Sequence, residues 1–142
     1  MEKSRAALAG ASAALVWAAL EPIDQRVFRC DYSDVALLGK AVTRSRWWRP
    51  AGLAIHAANG AVFGLALREA QRKTGWNTRS LALGAALVEH VSLYPLNFAV
   101  DRFHPARGER GLPPLATNKR AFAQATFRHA LFGVVLGRLL RT

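Results

Sequence analysis

His56-Ala-Ala-Asn59-Gly60-Ala-Val62-Phe-Gly64-Leu-Ala-Leu67-Arg68 returns later in the chain as His129-Ala-Leu-Phe132-Gly133-Val-Val135-Leu-Gly137-Arg-Leu-Leu140-Arg141. Seven of these thirteen positions are identical at an offset of 73. Extended backward without gaps, the same offset pairs Leu8 with Leu81, Ala9 with Ala82, Ala13 with Ala86, Leu20 with Leu93, Pro22 with Pro95, Val27 with Val100 and Arg29 with Arg102. Residues 1–69 therefore overlay residues 74–142 as two copies of one unit. An internal repeat constrains the fold more than any local pattern does. In each copy Gly-x-x-x-Gly puts two glycines on one helix face, where a second helix can approach closely.

The solvent of these helices follows from their composition. The chain has 142 residues, enough for one domain, is 51% hydrophobic and carries a net charge of +11. Its lysines and arginines sit in blocks between apolar runs and do not stripe the runs themselves. A soluble bundle needs a charged outward face on each helix, and residues 51–67 and 80–88 offer none. Basic charge of this size also suits nucleic-acid binding, but no zinc-finger, helix-turn-helix or RNP pattern is present, so no nucleic-acid partner is expected. Basic loops around apolar spans are the pattern of a multi-pass protein of the cell membrane.

Four spans are predicted. The first runs from residue 6 toward Phe28, with Glu21, Pro22 and Asp24 toward its far end. Lys3 and Arg5 before an apolar run also fit a signal peptide, a reading the repeat opposes because its counterpart lies mid-chain. Ser33 is a candidate N-cap for a short helix, Asp34 to Thr43. The second span occupies 51–67 and the third 80–100, with Gly75 ending one helix and Asn77 or Thr78 starting the next. Residues 102–117 are a Pro-, Gly- and Arg-rich loop, and 118–141 form the last helix. The fold expected is thus all-α: four transmembrane helices, two tandem hairpins, one domain over 1–142. Two crossings per half give both halves one orientation, with their pseudo-axis along the membrane normal, as in parallel transporter repeats. Lys and Arg number 8 on the side of the termini and 11 on the side of the two long loops, which mildly places the long loops in the cytoplasm.

Arg44, Arg46, Trp47, Trp48 and Arg49 form one block. Indoles among guanidinium groups suit a bilayer interface with anionic lipid headgroups. Cys30 is the single cysteine, so no internal disulfide forms, and it is expected as an unpaired thiol near the membrane surface.

Aligning the helices by depth brings Glu21, His56, Tyr94, Arg128 and His129 into one layer, with Asn59 near it and Glu89 and His90 about one turn deeper. At about 1.5 Å per residue the layer lies on the order of 10 Å from the long-loop side. His90, Tyr94, Asn97 and Asp101 share one helix face. Ionisable groups at that depth are costly unless paired or wet, so they mark a site. Arg128 is expected to pair with Glu89 or Glu21. Gly60, Gly64, Gly133 and Gly137 serve helix packing.

The leading expectation is a structural or interaction protein whose buried polar network locks the bundle. A small transporter or proton-coupled carrier, possibly a homodimer, is the alternative, because Glu, His, Tyr and Asp build such sites. A third reading is a haem between His56 and His129, a fourth a membrane enzyme acting on a lipid. No Asp-x-x-Asp, His-x-x-x-Asp or Gly-x-Ser-x-Gly motif supports the last, and no catalytic or metal-ligating residue is assigned. A cavity that water can reach at this layer would favour transport, a filled one the lock. The order His-x-x-Asn-Gly-x-x-x-Gly, Glu89-His90, Tyr94-Pro95 and Arg128-His129 resembles that of small four-helix bacterial inner-membrane proteins with no assigned reaction. That resemblance implies membrane location and nothing catalytic.

Overall fold

The computed structural model describes residues 2–140, so Arg141 of the repeat and the last helix's expected end at 141 lie outside the described residues. Among the described residues every regular element is helical. In order come α1 (Glu2–Phe28), α2 (Asp34–Val42), α3 (Trp48–Thr74), α4 (Thr78–Leu93), a 3-10 turn (Tyr94–Leu96), α5 (Asn97–Phe103) and α6 (Lys119–Leu139). Three helical stretches are long and apolar enough to cross a membrane: Glu2–Phe28, Trp48–Thr74 and Thr78–Phe103. The last includes α4, the 3-10 turn and α5.

α3 outruns its expected apolar run by two turns, because Arg68 to Thr74 stay helical through polar residues. Glu69 supports that extension by pairing with Arg72 at 2.7 Å and Lys73 at 3.4 Å. Gly75, at φ 68°, then closes the helix in the left-handed conformation that lacks a steric cost only for glycine. Asn77 caps α4 by accepting from Arg79 N and Ser80 N. Arg68 also reaches back to Glu2 across the α1–α3 pair.

Small residues decide which helices touch. α1 packs along α3 and α6 along α4, while α1 and α6 join the two pairs. A Cβ on Gly10 would stand 1.9 Å from the Gly60 carbonyl oxygen, and one on Gly64 2.3 Å from that of Ala6. On the other pair, a Cβ on Gly133 would stand 2.8 Å from Leu83 Cα, and one on Gly137 3.0 Å from Arg79 Cα. Ala9, Ala13, Trp17, Ala82, Ala86, Phe132 and Leu136 fill the centre. The outside is apolar too: Leu8, Val27, Val62, Val88 and Phe98 are each at least 64% exposed, which suits lipid and not water.

The two long loops close one end. Arg29 adopts φ 50°, rare for a side-chain-bearing residue, and so lets Cys30 N–H reach back to the Gln25 carbonyl. α2 then lies against α3 through Gly39 and Gly52, where a Cβ would stand 1.9 Å from Trp48 O and 2.1 Å from Val35 O. The 104–118 loop packs Ala106 and Leu112 on Ala36, and Ser33 N–H donates to Gly111 O at 2.9 Å. Lys40 donates to Glu109 at 3.2 Å, and Arg44 donates to Pro105 O and to Glu109. His104 is satisfied on both sides: its Nε2–H donates to Leu37 O and its Nδ1 accepts from Ala106 N–H.

Candidate functional site

Arg128 is fully buried on α6, so its charge must be met inside the protein. Asp24 of α1 meets it in a two-pronged pair, Nε to Oδ2 at 2.7 Å and Nη2 to Oδ1 at 2.6 Å. Nη1 donates to Asp34 Oδ2 at 2.8 Å and lies 3.5 Å from Glu21 Oε1, while Nη2 also donates to Tyr32 O at 3.0 Å. The guanidinium stands over the Tyr32 ring, 5.3 Å from its centroid. Gln124, one turn earlier on α6, donates to Asp24 Oδ1 at 2.6 Å and to Cys30 O at 3.2 Å.

Glu21, expected as a partner of Arg128, works mainly as a cap. It accepts from Ser33 Oγ at 2.7 Å and from Asp34 N at 2.8 Å, so an α1 carboxylate sits at the positive end of α2. Ser33 meanwhile accepts from Ala36 N, the N-cap expected for that helix. Asp34 takes three donors: Arg128, Trp17 Nε1 at 3.1 Å and Tyr32 OH at 2.6 Å. Burial pushes the Asp34 carboxyl up, but Arg128, His56 and the Tyr32 hydroxyl outweigh that and hold it below the usual carboxylate range. Burial, then the Asp34 carboxylate, push the Tyr32 phenol well above its ordinary value.

Glu89, the other expected partner of Arg128, lies elsewhere. Its Oε2 is 3.9 Å from His129 Nε2, and its side chain is 41% exposed. Asp24 and Asp34 take its place because α1 carries Asp24 onto the α6 face, and the cap on α2 folds Asp34 back toward the bundle.

Trp17 joins this lock to a ring of aromatics. Its indole makes edge contacts with His56 at 4.9 Å and His129 at 4.7 Å, centroid to centroid. His129 in turn lies 4.7 Å from His90, and His90 lies 5.4 Å from Tyr94. The hydrogen bonds fix two tautomers. His129 Nδ1 lies 2.7 Å from the Ala125 carbonyl, which only accepts, so Nδ1 carries hydrogen and Nε2 faces Glu89. Thr126 donates its hydroxyl to Phe122 O, so at 2.9 Å it accepts from His90 Nε2–H. His56 Nε2 is buried and has no hydrogen-bond partner among the described residues. With Trp17 against both rings, a haem held between His56 and His129 would have to displace the indole.

Beside these rings lies a cavity of about 410 Å³. Its polar lining includes His56, Asn59, Glu89, His90, Asn97 and His129, with Asp34 and Tyr32 of the lock; Leu37, Phe63, Leu93, Leu115 and Phe132 are among its apolar walls. It sits between α3 and α4, which pack far less closely than α1 on α3 or α6 on α4. Tyr94, also on its wall, donates to Leu115 O at 2.8 Å, and Asp101 accepts from Leu115 N and Ala116 N. The shared face of His90, Tyr94, Asn97 and Asp101 thus splits into ring contact, cavity wall and loop anchor.

At the loop end, Arg46 lies over Trp47 at 5.4 Å and Arg49 over Trp48 at 5.3 Å. Trp47 is exposed and Trp48 half-buried, whereas Arg44, itself exposed, pairs with Glu109. Sequence reasoning missed Trp17, Asp24, Tyr32, Asp34 and Gln124. Asp24 had a signal, one turn after Glu21 in an apolar helix. Comparison with protein families, with curated proteins and with solved structures returns no match.

Proposed function

We propose that this is a four-span membrane protein of two tandem hairpins that binds a small amphiphile in a cavity braced by a buried ionic lock. The cavity beside His56, His90, His129 and Glu89 carries the reading. Its size falls in the range of small-molecule sites, roughly 300–1,000 Å³. Its walls are mostly apolar with a few convergent polar groups, the pattern that orients a ligand with an apolar body and a hydrogen-bonding head. Glu89, with 41% of its side chain exposed, and the amides of Asn59 and Asn97 are the groups such a head would meet.

Two observations support the membrane architecture. α6 has 21 residues, about 32 Å, enough for a hydrocarbon core of about 30 Å. Hydropathy undercounts it, because Arg128 is neutralised from within by Asp24 and Asp34. The repeat reading draws on the close approaches. Gly60 meets Gly10 and Gly64 meets Ala6; 73 residues on, Gly133 meets Leu83 and Gly137 meets Arg79. Trp47, Arg46 and Arg49 then fall at the headgroup level of the long-loop side.

The lock itself is structural and needs no ligand. A purely structural or interaction role would end there and would leave the cavity unused. The Glu89–His129 pair favours a second reading, proton-linked carriage of the ligand.

Thiol protection tests the binding site. In a Cys30→Ser background, Asn59→Cys in phosphatidylcholine nanodiscs should react with a water-soluble maleimide, and decylamine or decanoate should slow the reaction saturably. A thiol that never reacts, or one that neither amphiphile protects, removes the binding reading and leaves the lock as the function.

A further inference from the structure

A second hollow lies on the long-loop face, apart from the histidine cavity. It is an open cleft of about 920 Å³ between the end of α1 and the start of α6. Arg26, Arg29, Arg110, Lys119 and Arg120 line it, against the single carboxylate of Asp31. That carboxylate is already engaged, accepting from Gly111 N–H at 3.0 Å. None of the five cationic side chains makes an ion pair or a side-chain hydrogen bond among the described residues. Elsewhere Lys40, Arg44, Arg68, Arg72, Lys73 and Arg128 meet carboxylates, while Lys3, Arg5 and Arg79 meet none among the described residues, so it is the convergence of five cations on one hollow that sets this cleft apart. Five like charges converge on one hollow with a single, already engaged carboxylate among them, a local field that favours an anion. All five side chains are exposed, hence free to converge.

We infer that this cleft is a binding site for a phosphate-bearing anion. Arginine forks match phosphate oxygens with paired hydrogen bonds, and lysine adds a point charge. The Thr117 hydroxyl also lines the cleft as a donor. A membrane lipid and a soluble phosphate share this chemistry. The surface beneath the cleft favours the lipid. On α1, Leu15, Ala19, Pro22 and Arg26 follow helical spacing down one face, and Leu15 is 42% exposed. On α6, Arg120, Ala123 and Phe127 do the same, and Phe127 is 44% exposed. Each strip runs from a cation of the cleft along exposed apolar side chains toward bilayer depth. A lipid held by its phosphate can lay its acyl chains on such surface, and a free anion has no use for it. This site differs from the Arg46–Trp47–Trp48–Arg49 block, whose guanidinium groups lie over indoles.

The test uses the full-length protein and an Arg29→Gln, Lys119→Gln, Arg120→Gln triple variant. Native mass spectrometry from mixed micelles would follow retention of phosphatidylglycerol against phosphatidylcholine, and a parallel arm would titrate inorganic phosphate by thermal shift. The wild type should retain phosphatidylglycerol selectively, and the triple variant on the order of a hundredfold more weakly. Stabilisation by inorganic phosphate alone, lost in the triple variant, would still establish the anion site and assign it to a soluble ligand. Equal retention of both lipids with no phosphate response, or equal behaviour of the triple variant, would overturn the inference. The maleimide result at Asn59→Cys bears only on the histidine cavity, so the two proposals stand or fall separately.

Discussion

At Arg128 one guanidinium faces three carboxylates, and geometry ranks them. Asp24 takes two hydrogen bonds, Asp34 one, and Glu21 stands off at 3.5 Å while capping α2. Removing one member of a buried pair strands the other, which costs about 3–5 kcal/mol. Arg128→Met should therefore lose stability of that order in detergent. Combined with Asp24→Asn, it should lose clearly less than the two single losses together, whereas with Glu89→Gln the losses should add to within about 0.5 kcal/mol. Equal coupling to both acids would sink this assignment. Asp34 adds a pH dependence. Its carboxyl titrates below the ordinary value in the folded protein. The stability it supplies is complete above the unfolded value of about 4 and is lost as pH falls below that toward the folded value. Thermal unfolding of wild type and Asp34→Asn should differ most near neutral pH, and the gap should narrow as pH falls below about 4; a gap that does not narrow contradicts it. Arg128 was legible in the sequence because it replaces Ile55 in the repeat. Asp34 was not, because it follows the span in sequence and returns to the bundle only through the Ser33–Glu21 cap.

Among the elements, the glycines separate contact from tolerance. Gly10 and Gly60 touch backbone to backbone, and Gly84 on α4 has nothing within 4 Å of where a Cβ would stand. Gly10→Ala should drive α1 from α3 and cost well over 1 kcal/mol, as overpacking does. Gly84→Ala, in an exposed helix interior, should be neutral or stabilise by about 0.5–1 kcal/mol. Thermal midpoints in one detergent check both, and matched losses would contradict the packing account. The Gly-x-x-x-Gly spacing made these interfaces readable. Gly10 and Gly39 escaped the sequence reading, since neither belongs to such a pair. The prolines also show where the repeat stops being a guide. Pro22 sits inside a continuous α1, while Pro95 lies in a 3-10 turn that divides α4 from α5.

For the whole molecule, the two packed helix pairs, α1 with α3 and α4 with α6, are joined unequally. α1 and α6 close on each other, and the corresponding pair, α3 and α4, stays apart around the cavity. Sequence identity could not reveal this, because the difference arises in the connections: residues 34–42 form a helix, while their counterparts 107–115 form a string of turns. The four crossings proposed above would put residues near Lys3, Gly75 and Arg138 on one face and the long loops on the other. Single cysteines at Ser4 and Thr74 in a Cys30→Ser background should label from one side of intact vesicles with an impermeant reagent, and one at Thr117 only from the opposite side. Labelling of all three from one side would contradict four spans.

Arg128 and Asp24 stand 104 residues apart in the chain. During synthesis at about 5–20 residues per second, Asp24 therefore waits on the order of 5–20 s for its counter-charge. Until α6 arrives, the nascent protein exposes an acid that a finished copy hides. A chain truncated before residue 119 would keep that acid, with Glu21 and Asp34, without its arginine.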